Sequence, residues 1–248
     1  MFKIVYLILF VGICLIDRPC LIQASKCVMK GICDTAAFGH IPCIYNGDPV
    51  AMTDSAARDV LKEICPELST ENALCCDSEQ IIDLKNHAEL FGVFLKVCPS
   101  CYANYQHLLC QITCSPKQAE FVKILHHEKG EEMKEQVTEI DVFLNQDFAD
   151  GFYKSCANIS RFGEKVIDVF CKPWSADKCN PLRMLKYFGA DFLHQGYSPY
   201  QIDYILSTDS HIKWDKEDHP VVKITPYKCS DSVNGKPKCA CEHCPRSC

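Results

Sequence analysis

The sequence predicts an α+β domain held together by disulfides, and three observations lead there. Segments of helical period and segments of strand period are intermixed along the chain, with no repeat and no linker that would divide it. Cysteine supplies 20 of 248 residues, a level nearer to disulfide scaffolds than to cytosolic domains. Lys3 precedes an apolar run at residues 4–16 (IVYLILFVGICLI), followed by a polar break and the small residues Ala24 and Ser25, which is the pattern of a secretory leader. That run is too short to cross a bilayer core of about 30 Å. The expected organisation is a signal peptide at 1–24 and one cysteine-rich luminal domain at 25–248.

Residues 26–50 carry Cys27, Cys33 and Cys43 among several Gly and Pro and show no sustained periodicity, so they read as an irregular cross-linked strap. Residues 53–65 place Ala57, Val60, Leu61 and Ile64 on one face after a Thr or Asp cap, and Pro66 ends that helix. Asp77 or Ser78 caps a second helix, in which Ile81, Leu84, Ala88, Phe91 and Leu95 recur at three and four residues up to Cys98. A third starts at Pro99, a favoured first-turn position, and runs to the Cys114-Ser115-Pro116 stop. Residues 121–141 read as a β-hairpin. Helical signals return at 142–156, at 162–171 and from Pro181 to Phe188 behind the Asn180 cap. Beyond the loop QGYSPY at 195–200, residues 201–206 and 221–225 look like strands, and the tail from Cys229 carries five cysteines.

Loss of the leader removes Cys14 and Cys20 and leaves 18 cysteines, an even number suited to nine disulfides in an oxidising lumen. It also removes Lys3, Arg18 and Asp17, taking the net charge from −6 to −7. A nucleic-acid partner is excluded, because phosphate binding needs a basic face. Cys98-Pro-Ser-Cys101 at a helix start could be a redox pair, and together with Cys241-Glu-His-Cys244 could fit zinc by spacing. Disulfides are the better account in a secreted chain, and no metal is expected. Adjacent Cys75 and Cys76 should reach different partners, since a bond between neighbours is strained. His126-His127-Glu128 lacks helical metal spacing and reads as a solvated hairpin end. No nucleophile elbow, phosphate loop or dinucleotide fingerprint occurs, so no enzyme is expected. Asn158-Ile-Ser160 is the single glycosylation sequon.

The runs LCCDSEQIIDLK and CPSCYANYQHLLCQITCSPKQ, the segment DVFLNQDFADGFYKSC, the loop QGYSPYQI and the terminal CSDSV, CACEHC and final cysteine closely resemble the N-terminal luminal domain of the Niemann-Pick C1 family of sterol transporters. The match covers the chain from Cys27 to Cys248. The resemblance implies a compact mixed fold that binds cholesterol or a related sterol in a deep pocket, with no cofactor. It implies nine bridges: Cys27 with Cys75, Cys33 with Cys43, Cys65 with Cys110, Cys76 with Cys114, Cys98 with Cys239, Cys101 with Cys156, Cys171 with Cys179, Cys229 with Cys244, and Cys241 with Cys248. Gln80 matches the family glutamine that holds the sterol hydroxyl. The asparagine that assists it corresponds to Pro42, which offers neither an amide nor an N–H. Met29, Leu84, Leu109, Pro199, Tyr200 and Ile202 match other pocket positions. Val169 and Phe170, with Leu182, Leu185, Tyr187 and Phe188, match the mouth that receives sterol from a small soluble Niemann-Pick C2-type carrier, and His194 lies near the lid.

The resemblance thus implies the N-terminal domain of a polytopic membrane transporter, in late endosomes or lysosomes or at a gut plasma membrane. Three other classes compete. A binder of a polar small molecule such as folate or riboflavin would need stacked tryptophans, and only Trp174 and Trp214 exist. A secreted hydrolase lacks its nucleophile motif. A protein-docking module would carry no lipid.

Overall fold

The computed structural model describes residues 25–130 and 133–248; the leader reading, with Cys14 and Cys20, and the Glu131 side of the hairpin turn lie outside them. The elements in order are β1 (Cys27–Ala36), β2 (Gly39–Gly47), β3 (Val50–Ala51), α1 (Ser55–Ile64), β4 (Ala73–Leu74), α2 (Ser78–Leu95), α3 (Pro99–Cys114), α4 (Gln118–Phe121), β5 (Val122–Lys129), β6 (Glu135–Asn145) and α5 (Gln146–Cys156). They continue with β7 (Ser160–Arg161), β8 (Glu164–Lys165), α6 (Val166–Val169), α7 (Pro181–Gly189), β9 (Gln201–Ser207), β10 (His211–Trp214) and β11 (Glu217–Pro220). The class is α+β, as the sequence predicts.

Strand β6 is the axis of the five-stranded sheet. It pairs antiparallel with β5 and parallel with β9 over Glu139 to Asn145, and meets the β1–β2 hairpin where Cys43 faces Gln136. Its residues from Ile140 to Leu144 are buried, because helices cover one face and the β10–β11 hairpin the other, where His219 stacks on Phe143 with ring centres 4.2 Å apart. Helices α2 and α3 form an antiparallel hairpin on the sheet. Asp77 caps α2 in a reciprocal box with Gln80, the arrangement that satisfies two orphan donors at once. Asp54 and Asn180 cap α1 and α7 through their side chains.

Four local expectations are corrected. Residues 26–50 are not an irregular strap but the β1–β2 hairpin, whose register shifts three times; such bulges erase the alternation by which a strand is recognised. Val142 to Asn145 end strand β6 rather than begin a helix, since a short apolar run fully buried in a sheet has no period to read. The helix expected at 162–171 shrinks to α6, because Phe162 (φ 55°) and Gly163 (φ 84°) turn the small β7–β8 hairpin before it. Residues 221–225 form no strand; Val222 makes a single bridge to Leu144.

The eighteen cysteines of the described chain form nine bridges: 27–75, 33–43, 65–110, 76–114, 98–239, 101–156, 171–179, 229–244 and 241–248. This is the pairing that the family resemblance implies, and it sends Cys75 and Cys76 to different partners. Cys98 and Cys101 are each bonded elsewhere, so they are not a redox pair. The sulfurs of Cys98, Cys229 and Cys239 lie within 4.8 Å of one another because two bridges run side by side, which leaves no thiolate for zinc.

Candidate functional site

A slot opens between the α2–α3 hairpin on one side and β1, β2 and β9 on the other. Two turns separate Gln80 from His87 on α2, and Asp83 and Leu84 lie between them on the same face. All four line the slot, opposite Leu109, Ile112 and Thr113 of α3. Met29, Gly31, Ile32, His40 and Pro42 of the hairpin, with Phe188, Ser198, Pro199, Tyr200 and Ile202, complete the wall. The eight sterol-contact positions implied by the sequence therefore converge on one cavity. Its empty volume, counted out to the open mouth, is about 650 Å³.

Gln80 sits at the floor. Its Oε1 accepts the Gly31 N–H at 2.7 Å and the Asp77 N–H at 3.2 Å. Both partners are donors, so the oxygen must face them and the amide orientation is fixed. Nε2 then remains a donor with no protein partner among the described residues, on a side chain only 7% exposed. Cys76–Cys114 and the Cys75 N–H, which donates to the Cys114 carbonyl at 3.1 Å, clamp the ends of α2 and α3 together here. Pro42 has no N–H to offer the wall, and Thr113 of α3 is also in the lining.

The polar groups midway along α2 carried no signal in sequence. His40 Nδ1 meets Asp83 Oδ1 at 2.6 Å, and the His40 N–H donates to Oδ2 at 3.3 Å. His87 Nδ1 lies 2.9 Å from the Phe38 carbonyl. A carbonyl only accepts, so that nitrogen carries the proton. Burial holds the His87 pKa below its ordinary value, against the opposing pull of the Phe38 carbonyl and the Asp83 charge. These bonds pin the β1–β2 turn onto α2. What could have drawn attention to Asp83 and His87 is their spacing of three and seven residues from Gln80, a signal that has meaning only once that face is known to meet the hairpin.

The end of the slot at His87 and Phe188 is aromatic. Phe38 packs on Tyr197 and Phe192 with ring centres 4.7 and 6.3 Å apart, and Phe188 contacts Phe91, Tyr105 and Phe170 at about 5 Å. Of the six mouth positions implied by the sequence, Phe188 lines the cavity and Tyr187 contacts Tyr197 at 6.3 Å. Phe170 and Leu185 are core residues, and Val169 is half-buried against that core. Leu182 faces a different surface groove, shared with Lys186 and Trp214. These six do not form one surface. The exposed apolar groups near the mouth are instead Phe192 and Leu193 (66% and 85% exposed), beside His194, whose Nδ1 pairs with Asp191 at 2.7 Å. Asn158 and Ser160 are both exposed after α5. His126 and His127 pair separately with Glu139 and Glu135 on the solvated hairpin.

The family model described as Niemann-Pick C1 N terminus matches residues 24–248. The chain is 28% identical to the NPC intracellular cholesterol transporter 1 of Sus scrofa over 91% of its length. It is 31% identical to homolog 1 of that transporter in Caenorhabditis elegans over 68%, and 26% identical to the NPC1-like intracellular cholesterol transporter 1 of Rattus norvegicus over 86%. It spans only 18%, 13% and 16% of the length of those three relatives. Among the described residues no helix is long and apolar enough to cross a membrane.

Proposed function

The chain belongs to the Niemann-Pick C1 N terminus family, and from that premise we propose that it binds cholesterol or a related sterol, hydroxyl first, in the slot between α2, α3 and the β1–β2 hairpin. The observation that carries this reading is the state of Gln80, a residue that lines the cavity: its oxygen is occupied by two backbone donors while its Nε2–H has no partner among the described residues. Such a site suits a ligand that is apolar except for one oxygen. Burying about 400 Å² of sterol at about 25 cal/mol/Å² supplies on the order of 10 kcal/mol before association costs. One hydrogen bond adds about 1 kcal/mol, and leaving the hydroxyl unpaired costs about 1 to 3 kcal/mol, so Gln80 sets orientation more than affinity.

In this reading the domain performs no covalent chemistry. A small soluble Niemann-Pick C2-type carrier delivers sterol at the mouth, near the exposed Phe192 and Leu193, and the domain passes it to the membrane portion of its own transporter. The setting is the lumen of late endosomes or lysosomes, or the outer face of a gut plasma membrane, with a glycan on Asn158. Gln80→Glu tests the anchor. A carboxylate keeps both backbone contacts and favours a helix first turn, but it replaces the Nε2–H donor with a charged acceptor that a bound sterol must desolvate. The variant should unfold within about 1 kcal/mol of wild type while binding tritiated cholesterol at least tenfold more weakly at neutral pH. Unchanged affinity would remove Gln80 from the site, and no saturable binding by the oxidised wild-type chain would remove the sterol.

A further inference from the structure

Helix α2 has a second face, turned away from the slot. Gln80, Leu84 and His87 line the cavity, whereas the exposed residues of the other side are Glu79, Ile82, Asn86, Glu89, Val93 and Lys96, with Leu90 beside them. They follow one another at alternating steps of three and four residues, the spacing of a coiled-coil seam. Ile82, Leu90 and Val93 remain 45%, 50% and 55% exposed, so the stripe is left uncovered among the described residues. Its charges are sorted along the helix axis. Glu79, in the first turn, forms no ion pair among the described residues. At the other end Lys96 pairs with Glu89, and Arg161 of the β7–β8 hairpin shares a surface groove with Lys96 and Val93.

That order is complementary to itself read backwards. Two copies of α2 laid antiparallel, with the twofold axis level with His87 and Ala88, set Glu79 against Lys96 of the second copy, Ile82 against Val93, and Asn86 against Glu89. Two apolar layers then flank a central polar one, where the Asn86 amide donates to a carboxylate, and each end closes on an opposite charge. A parallel arrangement would set Glu79 on Glu79 and Lys96 on Lys96, whereas antiparallel helices also oppose their macrodipoles. We propose that this face of α2 is an interaction surface for a second copy of the same chain, docked antiparallel, with the Asn86–Glu89 layer fixing its register. The slot lies on the far side of each helix, so the inference stands whether or not the sterol reading does. One helix face per copy is at the small end of specific interfaces, which corresponds to a dissociation constant of the order of 100 µM.

Sedimentation equilibrium of the oxidised chain tests this. The weight-average mass should climb from that of the monomer toward twice that value as concentration rises from about 5 to about 500 µM, a range that brackets such a constant. Glu79→Lys alone and Lys96→Glu alone each bring like charges together at both ends of the contact, and each should weaken self-association at least tenfold. An equimolar mixture of the two variants restores opposite charges at both ends, so it should associate within about threefold of wild type, a recovery that a folding defect in either variant would not produce. Val93→Lys, which carries a charge into both apolar layers, should abolish association by itself and serves if Lys96→Glu does not fold. A wild type that stays monomeric over the whole range, folded variants that dimerise as wild type does, or a mixture of folded variants that fails to recover would overturn the proposal.

Discussion

Around Gln80 the chain is stapled by four bridges, Cys27–Cys75, Cys33–Cys43, Cys65–Cys110 and Cys76–Cys114, whereas residues 180–228, which supply α7, the loop at 190–200 and β9, contain no cysteine. The same cavity runs between these regions. At the floor, backbone donors and a disulfide hold one amide in place. At the mouth, rings from three separate segments lean on each other through contacts worth about 0.5 to 1.5 kcal/mol a pair. A site that must both orient a ligand and admit it can divide those tasks by position: geometry is held where covalent bonds constrain it, and opening occurs where only packing resists.

The largest expected effect breaks the rigid half. Cys76→Ser with Cys114→Ser should cost about 2 to 5 kcal/mol in chemical denaturation and abolish sterol binding, because α2 and α3 are no longer clamped beside Gln80. Next is the half held by packing alone. A Cβ on Gly196 would sit 2.0 Å from the Ala190 carbonyl oxygen, so Gly196→Ala should displace the mouth loop at a cost of about 1 to 3 kcal/mol. Stopped-flow release of a fluorescent sterol should quicken, while amide exchange in α2 and α3 stays protected. Phe38→Ala removes the ring contacts with Tyr197 and Phe192 and should raise the release rate about three- to tenfold, with little change in unfolding midpoint. If it leaves release unchanged but melts the domain, the division between floor and mouth is wrong.

The smallest effect is acid-dependent. Burial holds the His87 pKa below 6.5 when the turn is closed, so the closed state takes up fewer protons than a state with the turn lifted. The stabilisation is complete above about pH 6.5 and is lost as pH falls toward the depressed value. Exchange at the Gly39 amide should accelerate between pH 7.5 and 5 after correction for intrinsic rates, and His87→Gln should flatten that dependence. The readout must be local, because burial also lowers the pKa of His107 beside Glu67, so global stability falls in acid with or without the latch.

Much of the floor was legible in the chain. The Asp77 cap, the position of Gln80 in the first turn of α2 and the stagger of Cys75 and Cys76 are local features, since capping and disulfide strain act over a few residues. The β1–β2 hairpin was not, because its bulges destroy the period-two pattern, and Val142 to Asn145 were misassigned because a strand buried on both faces loses its alternation. Phe170 and Leu185 show the same limit: an apolar residue reads alike whether it faces a ligand, a partner or the core.

By itself the sequence determined the oxidising setting, the class of fold, the capped helices and, through family resemblance, the residues that meet in the cavity. Only the tertiary structure decided which atoms of those residues are free. Whether Gln80 presents its oxygen or its nitrogen, and whether His87 is a donor or an acceptor, depends on where the Gly31 N–H and the Phe38 carbonyl come to rest, and those groups lie 49 residues away along the chain. Hydrogen-bonding capacity belongs to the residue, but its availability to a ligand belongs to the fold, because each donor or acceptor can be consumed by a neighbour that sequence distance does not reveal.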